Sequence, residues 1–279
     1  MTTDRLGDWT DLVAACYAPE TAASWDAVGL HVGDPGDPVG TAMISLDVTL
    51  AVIDEAVRRG ADLVIAHHPL LFRPLARLTP DTAPGAVALH AARQRVAVLA
   101  VHTNFDAAVP GTTEPIVAAL DLADVTPLEP LDDDPDRGLG RIGTLAEATP
   151  VRALADRLAR ALPAPHLRVA GALDRTVRRV AACGGAGDGL LDAARHAGAE
   201  LYVTGDLRHH VVLDALTLGL SVIDAGHFAT EAAALPALHE RLARAASARG
   251  LGARLLASTT ITEPWSDYCA HDGSKATTS

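Results

Sequence analysis

With 279 residues the chain has room for two medium domains, and 49% hydrophobic against 21% charged residues is the composition of a globular protein that buries a core, which excludes a wholly disordered chain. A formal net charge of -12, from 35 Asp and Glu against 23 Lys and Arg, counts against a surface built to neutralise nucleic-acid phosphates. Cys16, Cys183 and Cys269 have no CxxC spacing and fit neither a thiolate zinc site nor a disulfide framework, and no secretory signal or apolar run of about 18 residues is present, so a soluble protein of a reducing cytoplasm is expected.

In chain order, residues 8–17 read as a short amphipathic helix, and the Gly- and Pro-bearing stretch 24–35 as a loop folded over something else. Residues 41–46 read as a buried strand ending at Asp47. Thr49 is placed to cap a helix over 50–59, with apolar Leu50, Ile53, Ala56 and Val57 at helical spacing and Gly60 as its stop. An apolar strand over 62–66 delivers His67 and His68. A helix over 84–95 leads into a strand over 96–101 that delivers His102 and Asp106, and a helix over 113–120 follows.

Residues 121–140, rich in Asp, Pro and Gly, read as a solvated linker. The boundary is set there, between a first α/β domain at 1–125 and a second at 126–262, with 263–279 as a disordered tail. The second part opens with a strand over 141–146 and a helix to about 162 with Thr149 as its cap and Pro150 at its first position, followed by strands over 167–170 and 177–182.

The two halves share a grammar. Gly60-Ala61-Asp62-Leu63-Val64-Ile65-Ala66-His67-His68 matches Gly198-Ala199-Glu200-Leu201-Tyr202-Val203-Thr204-Gly205-Asp206 in its spacing of apolar and polar positions. Likewise a strand ends before His102-x-x-x-Asp106 and another before His227-x-x-x-Glu231. The expected architecture is therefore two similar α/β domains from an internal duplication. Alternating strands and helices imply mostly parallel sheets, whose ligands sit beyond the carboxyl ends of the strands.

His, Asp and Glu without Cys form a ligand set for zinc, iron, manganese and similar divalent ions. On a helix, His227 and Glu231 share one face, whereas adjacent His67 and His68 in an extended segment point to opposite sides and serve two ions more readily than one. The plainer alternative has His102 capping a strand, Asp106 capping a helix and Glu231 as a first-turn acid favoured by the helix dipole. Asp206 and His210, in Thr204-Gly205-Asp206-Leu207-Arg208-His209-His210, can touch substrate, move protons or orient ligands. The run Cys183 to Gly189 is either a close backbone approach to a phosphate or a tight structural turn.

Ser24-Trp25-Asp26-x-Val28-Gly29-Leu30, His67-His68-Pro69, His102-Thr103-x-x-Asp106, Thr204-Gly205-Asp206 and Gly226-His227-x-x-x-Glu231, in this order, resemble the NIF-three-like family, whose members are called GTP cyclohydrolase 1 type 2 homologs. The resemblance runs from about residue 6 to 261. It implies two similar α/β domains with a dinuclear metal centre in the cleft between them, holding two divalent ions (Zn, Fe, Mn or Ni) on His67, His68, Asp106, His227 and Glu231, with His102 and His210 near it. It also implies a toroidal homohexamer, a trimer of dimers, with the sites facing an internal cavity. Ala27 and Ala186 depart from the family, standing where relatives often carry a more polar residue, and leave the ligand set intact.

The expected function is a metal-dependent hydrolase acting on a nucleotide-like, phosphoester or cyclic amide small molecule, with His102, His210 and Asp206 as catalytic residues. The alternative is a non-enzymatic metal-binding regulator, metallochaperone or scaffold, distinguished by an absence of turnover.

Overall fold

The protein is described by a computed structural model over residues 4–164 and 166–266. The chain opens with β1 (Asp4–Arg5) and α1 (Leu6–Cys16), then β2 (Gly29–Val32), β3 (Pro38–Val39) and β4 (Thr41–Ser45). The units α2 (Leu50–Arg59), β5 (Leu63–Ala66), α3 (Ala83–Gln94), β6 (Ala97–Ala100), α4 (Thr103–Asp106) and α5 (Glu114–Leu120) follow. Next come β7 (Ala123–Leu131), β8 (Asp134–Pro150), α6 (Val151–Ala161), β9 (Arg168–Ala170) and β10 (Thr176–Ala186). The remainder is α7 (Leu191–His196), β11 (Leu201–Gly205), α8 (His209–Thr217), β12 (Ser221–Asp224), α9 (His227–Ala232), α10 (Leu235–Arg249) and β13 (Arg254–Ala257).

The chain forms two main sheets. The first runs β13-β4-β5-β6-β2, its first four strands mutually parallel and β2 antiparallel at the edge. The second runs β7-β8-β10-β11-β12-β9, with β10, β11 and β12 parallel and β9 antiparallel beyond them. Each sheet thus holds parallel strands in chain order next to an antiparallel edge strand.

The central strands are buried on both faces because helices cover both, which is why they read as unbroken apolar runs. Alternate residues of the first sheet divide between two cores: Ala42, Ile44, Leu63, Ile65 and Leu99 pack with Trp9 and Leu12 of α1 and Leu238 and Leu242 of α10, whereas Met43, Val64 and Val98 pack with Val52 and Ile53 of α2. In the second sheet Val180, Leu201, Val203 and Ile223 join Leu154 and Leu158 of α6.

Local signals set several element ends as expected. The Thr49 hydroxyl accepts from Val52 N at 3.2 Å, and Gly60 ends α2 at φ 66°, where a Cβ is strained.

Three local expectations are corrected. The stretch 24–35 is not all loop, because Gly29–Val32 pairs with β6 and closes that edge of the sheet. The stretch 121–140 is not a linker: β7 and β8 make a long antiparallel hairpin in which Asp132 and Asp133 form the turn. Pro127 and Pro130 are accommodated because β7 is the outer strand, where a missing N–H costs least. Pro150, not Thr149, occupies the cap position of α6, and the Thr149 hydroxyl turns to Glu147 O instead.

After α9 the chain returns to the first sheet, where β13 lies parallel to β4. Of the expected tail, residues 263–266 are described and 267–279, with Cys269, lie outside the described residues. Among the described residues no helix is long and apolar enough to cross a membrane.

Candidate metal centre

The polar clusters converge where strands of both sheets end. His67 and His68 directly follow β5, and their N–H groups still donate to Ser45 O at 3.2 Å and Leu46 O at 2.9 Å, so the sheet ladder orients the doublet. His102 precedes α4, a single turn that ends at Asp106. Gly226 turns the chain out of β12 into α9, and His227 and Glu231 then sit one turn apart on α9.

Four imidazoles are held in the same manner. Nδ1 of His67 lies 3.0 Å from Val101 O, and a carbonyl only accepts, so that nitrogen carries the proton and Nε2 presents its lone pair. Nδ1 of His68 faces Asp47 Oδ1 at 2.8 Å, Nδ1 of His102 faces Asp26 Oδ1 at 2.8 Å, and Nδ1 of His227 faces Asp206 Oδ2 at 2.7 Å. Every Nε2 is thereby left for the interior. Metal-binding histidines use this arrangement, the outer partner fixing both tautomer and ring direction.

The inward atoms crowd each other, and only some of them are paired by hydrogen bonds. Glu231 Oε1 is 3.5 Å from His67 Nε2, and Glu231 Oε2 is 2.9 Å from His68 Nε2 and 3.1 Å from His227 Nε2. His68 Nε2 and His227 Nε2 are themselves 3.2 Å apart. Despite these distances, His67 Nε2 and Glu231 Oε2 are buried with no aligned hydrogen bond. Buried polar atoms left this way are costly unless a cation completes them. Among the described residues, three overlapping groups have ligand atoms within 4.8 Å of one another: His67, His68 and His102; His68, His227 and Glu231; and His67, Asp106 and Glu231.

The model of a family described as Duf34/NIF3 (NGG1p interacting factor 3) matches residues 5–264. The chain belongs to the Duf34/NIF3 family. A Streptomyces coelicolor relative, named GTP cyclohydrolase 1 type 2 homolog, is 40% identical over 95% of each chain. A Clostridium acetobutylicum relative of the same name is 31% identical over 86% of this chain and 90% of its own. Among solved structures, the Bacillus cereus protein related to NIF3 superimposes with a TM-score of 0.90 at 26% identity, covering 96% of this chain and all of that one.

The centre of this Duf34/NIF3 chain is electrostatically poised for cations. Burial disfavours a charged His68, but Asp47 and Glu231 outweigh it and raise the imidazole to about 10. Burial likewise opposes the charge on His227, and Glu231 and Asp206 raise it to about 9. For Glu231 burial acts upward, yet the surrounding histidines hold its carboxyl well below the usual range. Burial pushes Asp106 upward and also pushes up the Cys183 thiol, assisted by the Asp106 and Glu231 charges.

The expected ligands His67, His68, Asp106, His227 and Glu231 are all brought together, and His102 joins His67 and His68. Asp206 is exposed and reaches the centre through its bond to His227. His210 is exposed on the first turn of α8 with its ring 5.2 Å from that of His209, and it is not a member of the three groups. The glycine run holds a close approach to a side chain: a Cβ built on Gly185 falls 2.0 Å from Glu231 Oε1, and Gly185 has φ 67°. Gly205 does the same for the start of α9, its Cβ falling 2.6 Å from His227 N.

Sequence reasoning missed three supporting residues. Asp26 accepts from His102, from Thr103 N and from the Thr103 hydroxyl, and these bonds hold its carboxyl well below the usual range against the opposite effect of burial. Asp47 orients His68, and the Thr112 hydroxyl donates to Asp106 Oδ1 at 2.5 Å. Asp47 had a usable signal, since it stands at the end of β4 as His67 stands at the end of β5.

Proposed function

We propose that the chain is a dinuclear metal-dependent hydrolase whose two divalent ions, Zn, Fe, Mn or Ni, are held by His67, His68, Asp106, His227 and Glu231. One observation carries this reading: the imidazoles of His67, His68 and His227, each tied down at Nδ1, turn Nε2 toward Glu231, with the His102 ring beside them, and buried atoms among them lack hydrogen bonds. Divalent ions held by such donors supply Lewis-acid polarisation of an electrophile and acidification of water.

The protein's own contribution begins with Glu231, whose two oxygens face different partners, Oε1 toward His67 and Oε2 toward His68 and His227. A carboxylate so placed would offer a donor oxygen to each group of histidines. His102 has its Nδ1 fixed by Asp26 and its ring beside those of His67 and His68, where it can take up and return a proton. Asp206 keeps His227 in a single orientation. A cavity of about 1090 Å³ opens against His68, His102, Asp206 and His227, a size that admits a nucleotide-like molecule, and Phe72, Phe228 and Arg168 add aromatic and cationic surface.

The test is to strip the protein, reload it with each of the four metals, and assay GTP, a phosphoester panel and cyclic amides. Turnover by at least one metal form, lost in Glu231→Ala, is the expected result. If no metal form acts on any substrate, the non-catalytic metal-binding role replaces the hydrolase. The toroidal homohexamer belongs to the same proposal, and light scattering that reports a mass other than six chains removes it.

A further inference from the structure

Glu55 is a carboxylate in α2 that the metal chemistry does not use, although it is only 3% exposed and its helix neighbours Val52, Ile53 and Ala56 lie in an apolar core. Burying a carboxylate is costly unless donors surround it, and here they do. Oε1 accepts from Arg59 at 2.7 Å and from the N–H and hydroxyl of Thr259, both at 2.8 Å. Oε2 accepts from the Ser258 hydroxyl at 2.6 Å and from Thr260 N and its hydroxyl at 3.0 and 2.6 Å. Arg59 also donates to Ala257 O at 2.7 Å. The segment that follows β13 is thus clamped to α2 at three consecutive residues.

The clamped segment leads straight to the metal centre. Two residues beyond Thr260, the Thr262 hydroxyl donates to Asp47 Oδ2, while Asp47 Oδ1 receives Nδ1 of His68 at 2.8 Å. A carboxylate held at one oxygen can still rotate about its last bond. Held at both, it offers His68 an acceptor in one plane. Thr262, Glu263, Pro264 and Trp265 then continue along the cavity wall that also contains His68 and His102. A bond network of this kind is built for placement, because each donor and acceptor is already committed.

We propose that Thr262 is a positioning residue for the metal centre: the strap at residues 258–265, clamped on Glu55, fixes Asp47, and Asp47 aims the His68 imidazole at the ion. The inference rests on the metal-centre reading above. It assigns the last described stretch of chain a role in metal affinity and not in stability alone.

The test uses the full chain, stripped of metal and titrated with Co²⁺ alone, following stoichiometry by dialysis and the visible cobalt spectrum. Thr262→Val removes the hydroxyl while keeping the branched shape, and Thr262→Ser restores the hydroxyl. The expected result is a loss of affinity of about tenfold at the ion that His68→Ala eliminates, with an altered cobalt band in Thr262→Val and recovery of both in Thr262→Ser. Thr262→Ala is the second variant, expected to match Thr262→Val, and metal-free melting of all variants separates misfolding from misplacement. If Thr262→Val and Thr262→Ala bind cobalt as the parent does while His68→Ala does not, the positioning role is overturned and the centre stands. If His68→Ala also binds as the parent does, both fall together.

Discussion

Imidazole orientation is the property on which the centre depends, and it is fixed residue by residue through Val101, Asp47, Asp26 and Asp206. Space is set as closely as direction. Gly185→Ala places a methyl group 2.0 Å from Glu231 Oε1, at a backbone φ of 67° that alanine resists. The expected outcome is a folded protein that has lost most of its bound metal, seen as native circular dichroism with depleted elemental content. Charge adds a pH dependence. In metal-free protein, His68 and His227 are raised from an ordinary 6.5 to about 10 and about 9. Their stabilising contribution is therefore complete below pH 6.5 and is lost as pH rises through 9 and 10. Glu231 is depressed, so its contribution is present above its ordinary 4.5 and disappears on acidification. Thermal melts of the metal-free protein should fall progressively from about pH 7 to pH 10. The metal-loaded protein, in which both imidazoles have already given up their protons, should not show that decline.

At the scale of elements, the local signals were legible and the distant pairings were not. The Thr49 cap, the Gly60 stop and the strands ending at His67, His102 and Asp224 are written within a few residues, and so is the one-turn spacing of His227 and Glu231. The β7–β8 hairpin was hidden because Asp, Pro and Gly mark a linker and a hairpin equally well, and only a neighbouring strand decides between them. The return of β13 to β4 joins Arg254 to Thr41 across 213 positions, a contact that no local pattern encodes. The supporting acids were hidden for the same reason, since Asp26 meets His102 from 76 positions away. That return is held by α10, whose Leu238 and Leu242 are fully buried against α1 and the first sheet. Leu242→Ala should cost about 2 to 5 kcal/mol of stability in denaturant unfolding, with the residues of the candidate centre untouched.

At the scale of the molecule, the two sheets present the carboxyl ends of their parallel strands to one another's polar residues. The first supplies His67, His68, His102 and Asp106, and the second supplies His227 and Glu231. Neither half holds a complete set of donors. The doublet His67-His68 has two nitrogens aimed inward, and both find their nearest carboxylate in Glu231. The strap at residues 258–265 closes the same circuit from the end of the described chain, reaching Asp47 behind His68. The central claim is that these residues form one metal centre shared by both sheets. Elemental analysis of the protein as purified, beside His68→Ala and Glu231→Ala, tests it most directly. Two ions per chain in the parent, fewer in His68→Ala and least in Glu231→Ala is the predicted result, and equal metal content in all three proteins would contradict it.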